Sequence, residues 1–468
     1  MMKSPVRLLA IAAAATALAG CSLTPEIVKP QPPVAEQFPQ HAAAQSQRPA
    51  VDIGWREFFT DPRLQQLIET ALANNRDLRT AALNIEQARA LYNVQRADVL
   101  PTINGTANAS RARTPGALSA SGRPLLTDVY QVGLGISAFE LDFFGRVRAL
   151  NQAALASYLA TEEAQRVAQI SLVSETAKAF LAELAAAEQL VLAQRTLAGR
   201  QQGYELAKQR FDVGASSALD LRLSETLVES ARVSVLQLQR QRAQAHNALV
   251  LLVGAPIGEL APGNDLSSQQ LITDIPAGLP SDLLTNRPDI RAAEQRLRAS
   301  YANIGVARAA FFPRISLTAG YGTASTQLSN LFSAGSSSWN FTPQLTVPLF
   351  DWGRNRSNLQ LAEVRRDLTV TDYEKTIQTA FREVADALVA RGTLEDQVEA
   401  QRRVRVAEVE RLNLAQQRFK NGVSSSLDVL DAERELFTAE QTLVQTRLLR
   451  LTNAIDVYRS LGGGLKVQ

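Results

Sequence analysis

Cysteine is nearly absent. Cys21 is the sole one in 468 residues, and a single thiol excludes a disulfide framework. Histidine occurs only as His41 and His246, far apart in the chain. With no HExxH, P-loop or dinucleotide fingerprint either, nothing converges on a catalytic or metal centre, and the chain is not read as an enzyme. Excess charge is missing too. The formal net charge is +3, and setting aside Lys3 and Arg7 leaves +1, which gives no electrostatic case for nucleic acid. Beyond the first 20 residues no apolar run reaches the ~20 residues of a membrane helix. Even so, 46% apolar and 20% charged residues is not the composition of a disordered chain.

What is present starts with a targeting segment. Lys3 and Arg7 precede "LLAIAAAATALAG", Leu8–Gly20, an apolar stretch too short to span a bilayer and ending in small residues. Residues 1–20 therefore read as a signal peptide. Cys21 follows directly in "LAGC", which resembles a bacterial lipobox, with a thiol lipidated as the mature N-terminus. An ordinary cleavage site beside a chance cysteine is the alternative. The Pro-rich stretch 21–50 is expected to lie extended rather than folded.

The chain then repeats itself. "RFDVGASSALD" (Arg210–Asp220) returns as "RFKNGVSSSLD" (Arg418–Asp428), an offset of 208. "DLRTAALNIEQARALYNVQRADVLP" (Asp77–Pro101) pairs with "DIRAAEQRLRASYANIGVARAAFFP" (Asp289–Pro313), and "FGRVR" (Phe144–Arg148) echoes "WGRNR" (Trp352–Arg356). Two tandem units follow, 51–254 and 281–463, joined by a Pro- and Gly-rich linker at 255–280 and closed by a tail at 464–468. Their period is far too long for a solenoid.

Each unit should hold two strands and two long helices. Helices are expected over 146–211, 218–253, 353–420 and 427–461. Sevenfold spacing of Ile170, Ala177, Leu184, Val191 and Ala198, and of Leu430, Phe437, Val444, Leu451 and Tyr458, predicts coiled-coil packing. No proline interrupts 146–210, so one helix there would be about 95 Å long; Gly199 and Gly203 offer the only break. The repeated phrase reads as a helix–turn–helix corner. Phe211 and Phe419 close the incoming helix, and Gly214 and Gly422 supply a left-handed residue. Ser216, Ser217, Ser424 and Ser425 are N-cap candidates, and Asp220 and Asp428 fall in the first turn of the outgoing helix.

Strands are expected over 101–112, 128–140, 314–324 and 338–350, each alternating with period two. Ile103, Gly105, Ala107 and Ala109 share one face, opposite Thr102, Asn104, Thr106, Asn108 and Ser110. Tyr130, Phe139, Tyr321, Trp339 and Phe350 sit near strand ends. A soluble half-buried sheet also alternates. Export and the long flanking helices favour outer-membrane strands. Four strands cannot close a barrel, and an open edge in lipid costs several kcal/mol per unpaired group. Two copies would give eight strands and three would give twelve; a polar inner face favours the water-filled twelve-stranded trimer.

These residues together resemble the TolC-type outer-membrane factor family, in its OprM/NodT-like lipoprotein branch. The resemblance rests on "LAGC", "WREFFTDPRLQQLIETALANNRDL" (Trp55–Leu78), "LLTNRPDI" (Leu283–Ile290), "PLFDWGR" (Pro348–Arg354), the two corner phrases and "SLGGG" (Ser460–Gly464). Each is weak alone, and their order is specific. The resemblance implies a mixed α+β membrane protein: a homotrimer with a 12-stranded outer-membrane barrel continued by an α-helical periplasmic tunnel. Its implied partners are a periplasmic adapter protein and an inner-membrane RND-type pump, with no cofactor beyond a lipid on Cys21. The implied role is the exit duct of multidrug efflux, with type I protein secretion as the alternative. It implies adapter docking at Arg210, Phe211, Gly214, Ser217 and Leu219, and at Arg418, Phe419, Gly422, Ser425 and Leu427. It also implies a periplasmic gate at Leu427, Asp428 and Asp431, six carboxylates in a trimer. Substrate spectrum and the particular adapter and pump are not written in these residues.

Overall fold

The computed structural model describes residues 22–38, 48–258, 265–272, 275–278 and 280–467. The signal segment and Cys21 lie outside them. The described residues divide into two compact units, each assembled from both sequence halves: those within 22–31, 84–161 and 292–373 in the first, and those within 32–83, 162–291 and 374–467 in the second.

The helices are α1 (Trp55–Phe58), α2 (Pro62–Asn74), α3 (Arg76–Ala97), α4 (Arg146–Asp212), α5 (Ala218–Val253), α6 (Asp282–Asn286), α7 (Pro288–Ala309), α8 (Arg354–Lys420) and α9 (Ser426–Ser460). Helix α4 runs unbroken through Gly199 and Gly203, as 67 residues. A Cβ at either glycine would meet nothing within 4 Å, so neither marks a close approach.

The first unit carries the strands β1 (Ile103–Thr114), β2 (Leu125–Glu140), β3 (Arg314–Ser325) and β4 (Ser337–Thr346), in the order β1-β2-β3-β4 and antiparallel throughout. The register unites the apolar residues of all four strands. One row reads Gly105, Leu134, Tyr321, Trp339, and the next reads Ile103, Ile136, Ala319, Phe341. A bulge between Ile136 and Phe139 keeps this phase. Ala138 takes φ 51° there, its N–H donating to Thr318 Oγ1 at 3.1 Å, and Phe139 thereby faces Leu317. The opposite face is polar and hollow. Asn104, Thr106, Gln131, Thr318 and Asn340 line a shallow depression whose floor is Gly133, Gly135, Gly320 and Gly322. Gly133 pairs with Gly322 and Gly135 with Gly320.

Three strands differ from expectation by more than one residue; β2 starts at Leu125 rather than 128, where its ladder with β1 extends to Thr114. β1 starts and ends two residues later than 101–112, because Pro101 and Thr102 stay outside the ladder. β4 ends at Thr346 rather than 350, because its last partner is Arg314, the first residue of β3. Leu349 and Phe350 nevertheless remain exposed, at 92% and 74%. Residues 22–31 run without helix or strand along α7: Lys29 pairs with Glu294 at 2.8 Å, and Tyr301 Oη donates to Val28 O at 3.4 Å. Thr24 passes so close to Gly305 that a Cβ there would collide with it.

The second unit is built on a buried aromatic group. Trp55, Phe58, Phe59, Leu64 and Ile68 of the α1–α2 region are at most 1% exposed. Phe58 stacks on Tyr458 with centroids 4.1 Å apart. Asp61 caps α2 ahead of Pro62, accepting from Arg63 N at 2.8 Å. Burial alone would raise the Asp61 pKa, but hydrogen bonds from Arg63 and Gln269 hold it below the usual carboxylate value. Gln269 lies in the expected linker, and so do Leu266 and Ile275, each 1% exposed, and Leu271, bridged to Phe59. The described parts of 255–280 are therefore packed segments, anchored by apolar residues spaced among the prolines.

The helix seam also departs from the sevenfold pattern. Ile170, Val173, Ala177 and Phe180 are buried, but Val191 is 56% exposed and Ala198 is exposed as well. From there on Leu190 and Ala193 carry the seam, against Val235 with Leu197, Leu238 and Phe437 around them. The α9 positions Val444, Leu451 and Tyr458 are buried as the spacing requires.

Candidate functional site

Both corners belong to the second unit, and both are built by the same two local devices. Helix α4 ends in a Schellman motif. Gly214 N donates to Phe211 O at 2.9 Å and Ala215 N to Arg210 O at 2.7 Å, with Gly214 at φ 72°. Helix α8 repeats it: Gly422 N to Phe419 O at 3.0 Å, Val423 N to Arg418 O at 2.9 Å, and φ 68° at Gly422. Each outgoing helix then opens on a capping box. Ser217 and Ser425, rather than Ser216 and Ser424, hold the cap. Asp220 N donates to Ser217 Oγ at 3.1 Å, and Ser425 N donates to Asp428 Oδ2 at 3.2 Å. The Ser217 hydroxyl, donating at 2.8 Å, is the main reason Asp220 titrates below the ordinary aspartate range.

A Cβ at Gly214 or Gly422 would touch nothing within 4 Å. Gly214→Ala and Gly422→Ala should therefore cost only the left-handed backbone term, about 1–2 kcal/mol each. Hydrogen exchange of the corner amides checks this, and a neutral result would refute the cap geometry.

With the backbone satisfied locally, the corners present their side chains outward. Val213, Leu219, Val423 and Leu427 are 78%, 78%, 67% and 57% exposed. The Arg210 guanidinium lies 5.5 Å from the Phe419 ring centroid and ties one corner to the other. Between the two hairpins runs a groove of about 390 Å³, lined among others by Arg200, Tyr204, Arg210, Asp220, Phe419 and Glu433. Arg200 is 8% exposed, donates to Leu227 O at 3.1 Å and sits over the Phe437 ring. Burial lowers its pKa and raises that of Glu433. Neither residue stands out in the sequence: Arg200 has Glu408 as its counterpart 208 residues on, which breaks the repeat, and Glu433 only repeats Glu225.

The implied gate residues sit on another face. Asp428 and Asp431 line a second hollow with Arg411 and Arg418. Asp431 is not a free carboxylate: Arg411 Nη2 donates to it at 2.6 Å, and Arg434 pairs with its other oxygen. Arg411 and Arg434 are missing from the sequence reading, which treated all six carboxylates of a trimer alike. An internal comparison would have found Arg411, since the first half has Gly203 opposite it and Leu223 opposite Asp431. The first hairpin therefore has no such clasp. Leu427 is exposed beside Asp428.

The profile of the outer membrane efflux protein family matches residues 67–255 and 279–463. The chain belongs to that family. This outer membrane efflux protein is 46% identical over 463 residues to the probable efflux pump outer membrane protein TtgC of Pseudomonas putida, covering 98% of this chain and 95% of that one. It is 47% identical over 452 residues to outer membrane protein OprJ of Pseudomonas aeruginosa, covering 96% and 94%. Among solved structures it superposes on the open state of the Neisseria gonorrhoeae MtrE outer membrane channel. The TM-score is 0.88 at 42% identity, over 96% of this chain and 99% of that one. The family places the protein in the outer membrane as a component of an efflux system, mostly helical with a four-stranded antiparallel sheet per chain. Several motifs that carry the likeness are joints rather than working sites. Asp351 of "PLFDWGR" accepts from Gly353 N at 3.0 Å and Asn355 N at 2.9 Å, and Arg287 of "LLTNRPDI" is buried.

Proposed function

We propose that three copies of this chain close a 12-stranded barrel and form the exit duct of a tripartite multidrug efflux system. The observation that carries the trimer is the sheet itself. Among the described residues β1 and β4 each pair on one side only, while one face is apolar across all four strands. An unpaired edge in lipid is untenable, and twelve strands leave room for water where eight do not. We read the halves 51–254 and 281–463 as duplicated units, so that a trimer offers six corners. The exposed apolar side chains there are the surface for a periplasmic adapter, which links the duct to an inner-membrane RND-type pump. A lipid on Cys21 tethers the N-terminus.

Deleting the gene and complementing it tests this reading. Hypersensitivity to several unrelated amphipathic compounds, restored by the intact gene, is the expected result. Unchanged susceptibility with a missing secreted protein would move the assignment to protein secretion.

The gate reading, with Leu427, Asp428 and Asp431, makes its own prediction. A carboxylate ring in a narrow pore concentrates cations. Asp428→Ala with Asp431→Ala should raise single-channel conductance and lower cation preference. Because Asp431 is also clasped by Arg411, Arg411→Ala alone should raise conductance without the loss of preference. Unaltered conductance and selectivity in both variants would remove the gate from this place.

A further inference from the structure

The charges of the sheet are gathered at one end. Between Ile103 and Ser137, and between Ile315 and Phe350, the only charged residues are Arg111, Arg113, Arg123 and Asp128. All four lie at the loop end of the first hairpin. The connection of the second hairpin, 326–336, carries no charge at all. At the helix end the charges are drawn together into ion pairs, Glu140 meeting Arg146 at 2.6 Å and Arg314 at 2.7 Å.

Register fixes which way the arginines face. Arg111 pairs with Asp128 and Arg113 with Leu126, in phase with Ala109–Tyr130 and Ala107–Val132. Both therefore stand on the apolar face. Along that face the rows run from Ile103 and Phe341 through Tyr321 and Trp339 to Tyr130, and only then to Arg111 and Arg113. Tyr321 and Trp339 are 70% and 75% exposed. Successive same-face residues are about 7 Å apart along a strand, so the arginines begin one row beyond the last aromatic residue. The hairpin projects that far alone, because the last β2–β3 pair is Tyr130 with Ser325. Arg111 is 71% exposed and 3.1 Å from Asp128, the only carboxylate of the patch. The patch keeps a surplus of two positive charges.

An apolar band, then aromatic residues, then cations is the order in which a bilayer presents hydrocarbon, interface and phosphate. We propose that Arg111, Arg113 and Arg123 bind the phosphates of an anionic glycolipid in the outer leaflet. The proposal rests on the barrel reading above, which turns the apolar face to lipid. Guanidinium forks suit phosphate oxygens, two N–H groups to one anion.

The test is lipid titration of the purified full-length protein by native mass spectrometry. The probes are bis-phosphorylated lipid A, the same lipid stripped of its phosphates, and phosphatidylglycerol. Barrel formation is scored first, as a heat-modifiable, sheet-containing trimer that inserts into liposomes; its absence would sink the barrel reading before any lipid is added. Given the trimer, the phosphorylated glycolipid should bind more tightly than either other probe. One arginine beside an anionic headgroup is worth roughly fivefold. Replacing all three by glutamine should therefore weaken binding about a hundredfold, with the dephosphorylated lipid unaffected. If the triple variant does not assemble, Arg113→Gln should weaken binding about fivefold, and Arg113→Lys, which keeps the charge but loses the fork, should weaken it by less. Equal binding of phosphorylated and dephosphorylated lipid A to the wild type would overturn the proposal. So would equal binding of phosphatidylglycerol, or variants that bind like the wild type.

Discussion

Replacing Tyr458 with alanine should destabilise the second unit by about 3–5 kcal/mol, the range for removing a large buried aromatic side chain. The ring is fully buried, stacks on Phe58 and meets Phe59 edge-on with centroids 6.4 Å apart. Its hydroxyl donates to Ile53 O at 2.7 Å, and burial pushes the phenol pKa up. Its other side is closed by the backbone of Gly463, where any Cβ would collide with the ring. The closing "SLGGG" is thus a lid of bare backbone on a tyrosine. Tyr458→Phe separates the two contributions. It keeps the stacking and strands the Ile53 carbonyl, a cost of about 1–3 kcal/mol. Hydrogen exchange across 55–68 reads both values. An alanine variant that loses less than about 1 kcal/mol would mean that this cluster does not hold the unit together.

Arg287→Met is the second large effect. The Arg287 side chain is 10% exposed and donates to Asp289 at 2.6 Å, to Glu383 at 2.9 Å and to Ser460 O at 3.0 Å. One cation therefore gathers the start of α7, the middle of α8 and the end of α9. Burial opposes its charge, but the two carboxylates outweigh burial and raise its pKa. Removing it leaves both acids facing each other. Breaking a buried pair from one side costs about 3–5 kcal/mol. Asp289 and Glu383 keep 31% and 29% exposure, so the lower end, about 3 kcal/mol, is expected. Adding Glu383→Gln to Arg287→Met should recover part of the loss, because one orphan charge is gone. A double variant no more stable than the single would show that the carboxylates were not the source of the cost.

Local rules wrote much of this molecule in plain view. The corners are legible because every hydrogen bond that makes them spans at most five residues along the chain: a left-handed glycine, a serine cap and an acid three residues on. The sheet is legible because period two fixes its faces. What depends on distant partners is not legible. Val191 continues the sevenfold series but faces outward, since the neighbouring helices meet α4 at Leu190 and Ala193. Leu266 and Ile275 are hidden among prolines and glycines that advertise a loop, yet both are buried. Asp431 reads as an acid three residues past Asp428, and nothing local announces that Arg411, twenty residues earlier on another helix, holds it. The same limit applies to Arg287. Its counterpart 212 residues earlier is Asn75, which caps α3 by accepting from Leu78 N and donates to Leu252 O, so equivalent places are held by unlike chemistry.

The four glycines on the hollow face of the sheet bear on what a duct can recognise. Where Gly133 meets Gly322, a traveller along that wall would brush main chain, and beside it the uncharged amide of Asn340 leans over Gly320. In the closed trimer three such blank windows would interrupt the polar lining. A wall of bare backbone and uncharged polar side chains has few means of telling one cargo from another by charge. On the duct proposed above, discrimination among compounds would be finished upstream, and a single exit of this kind could serve pumps of quite different tastes.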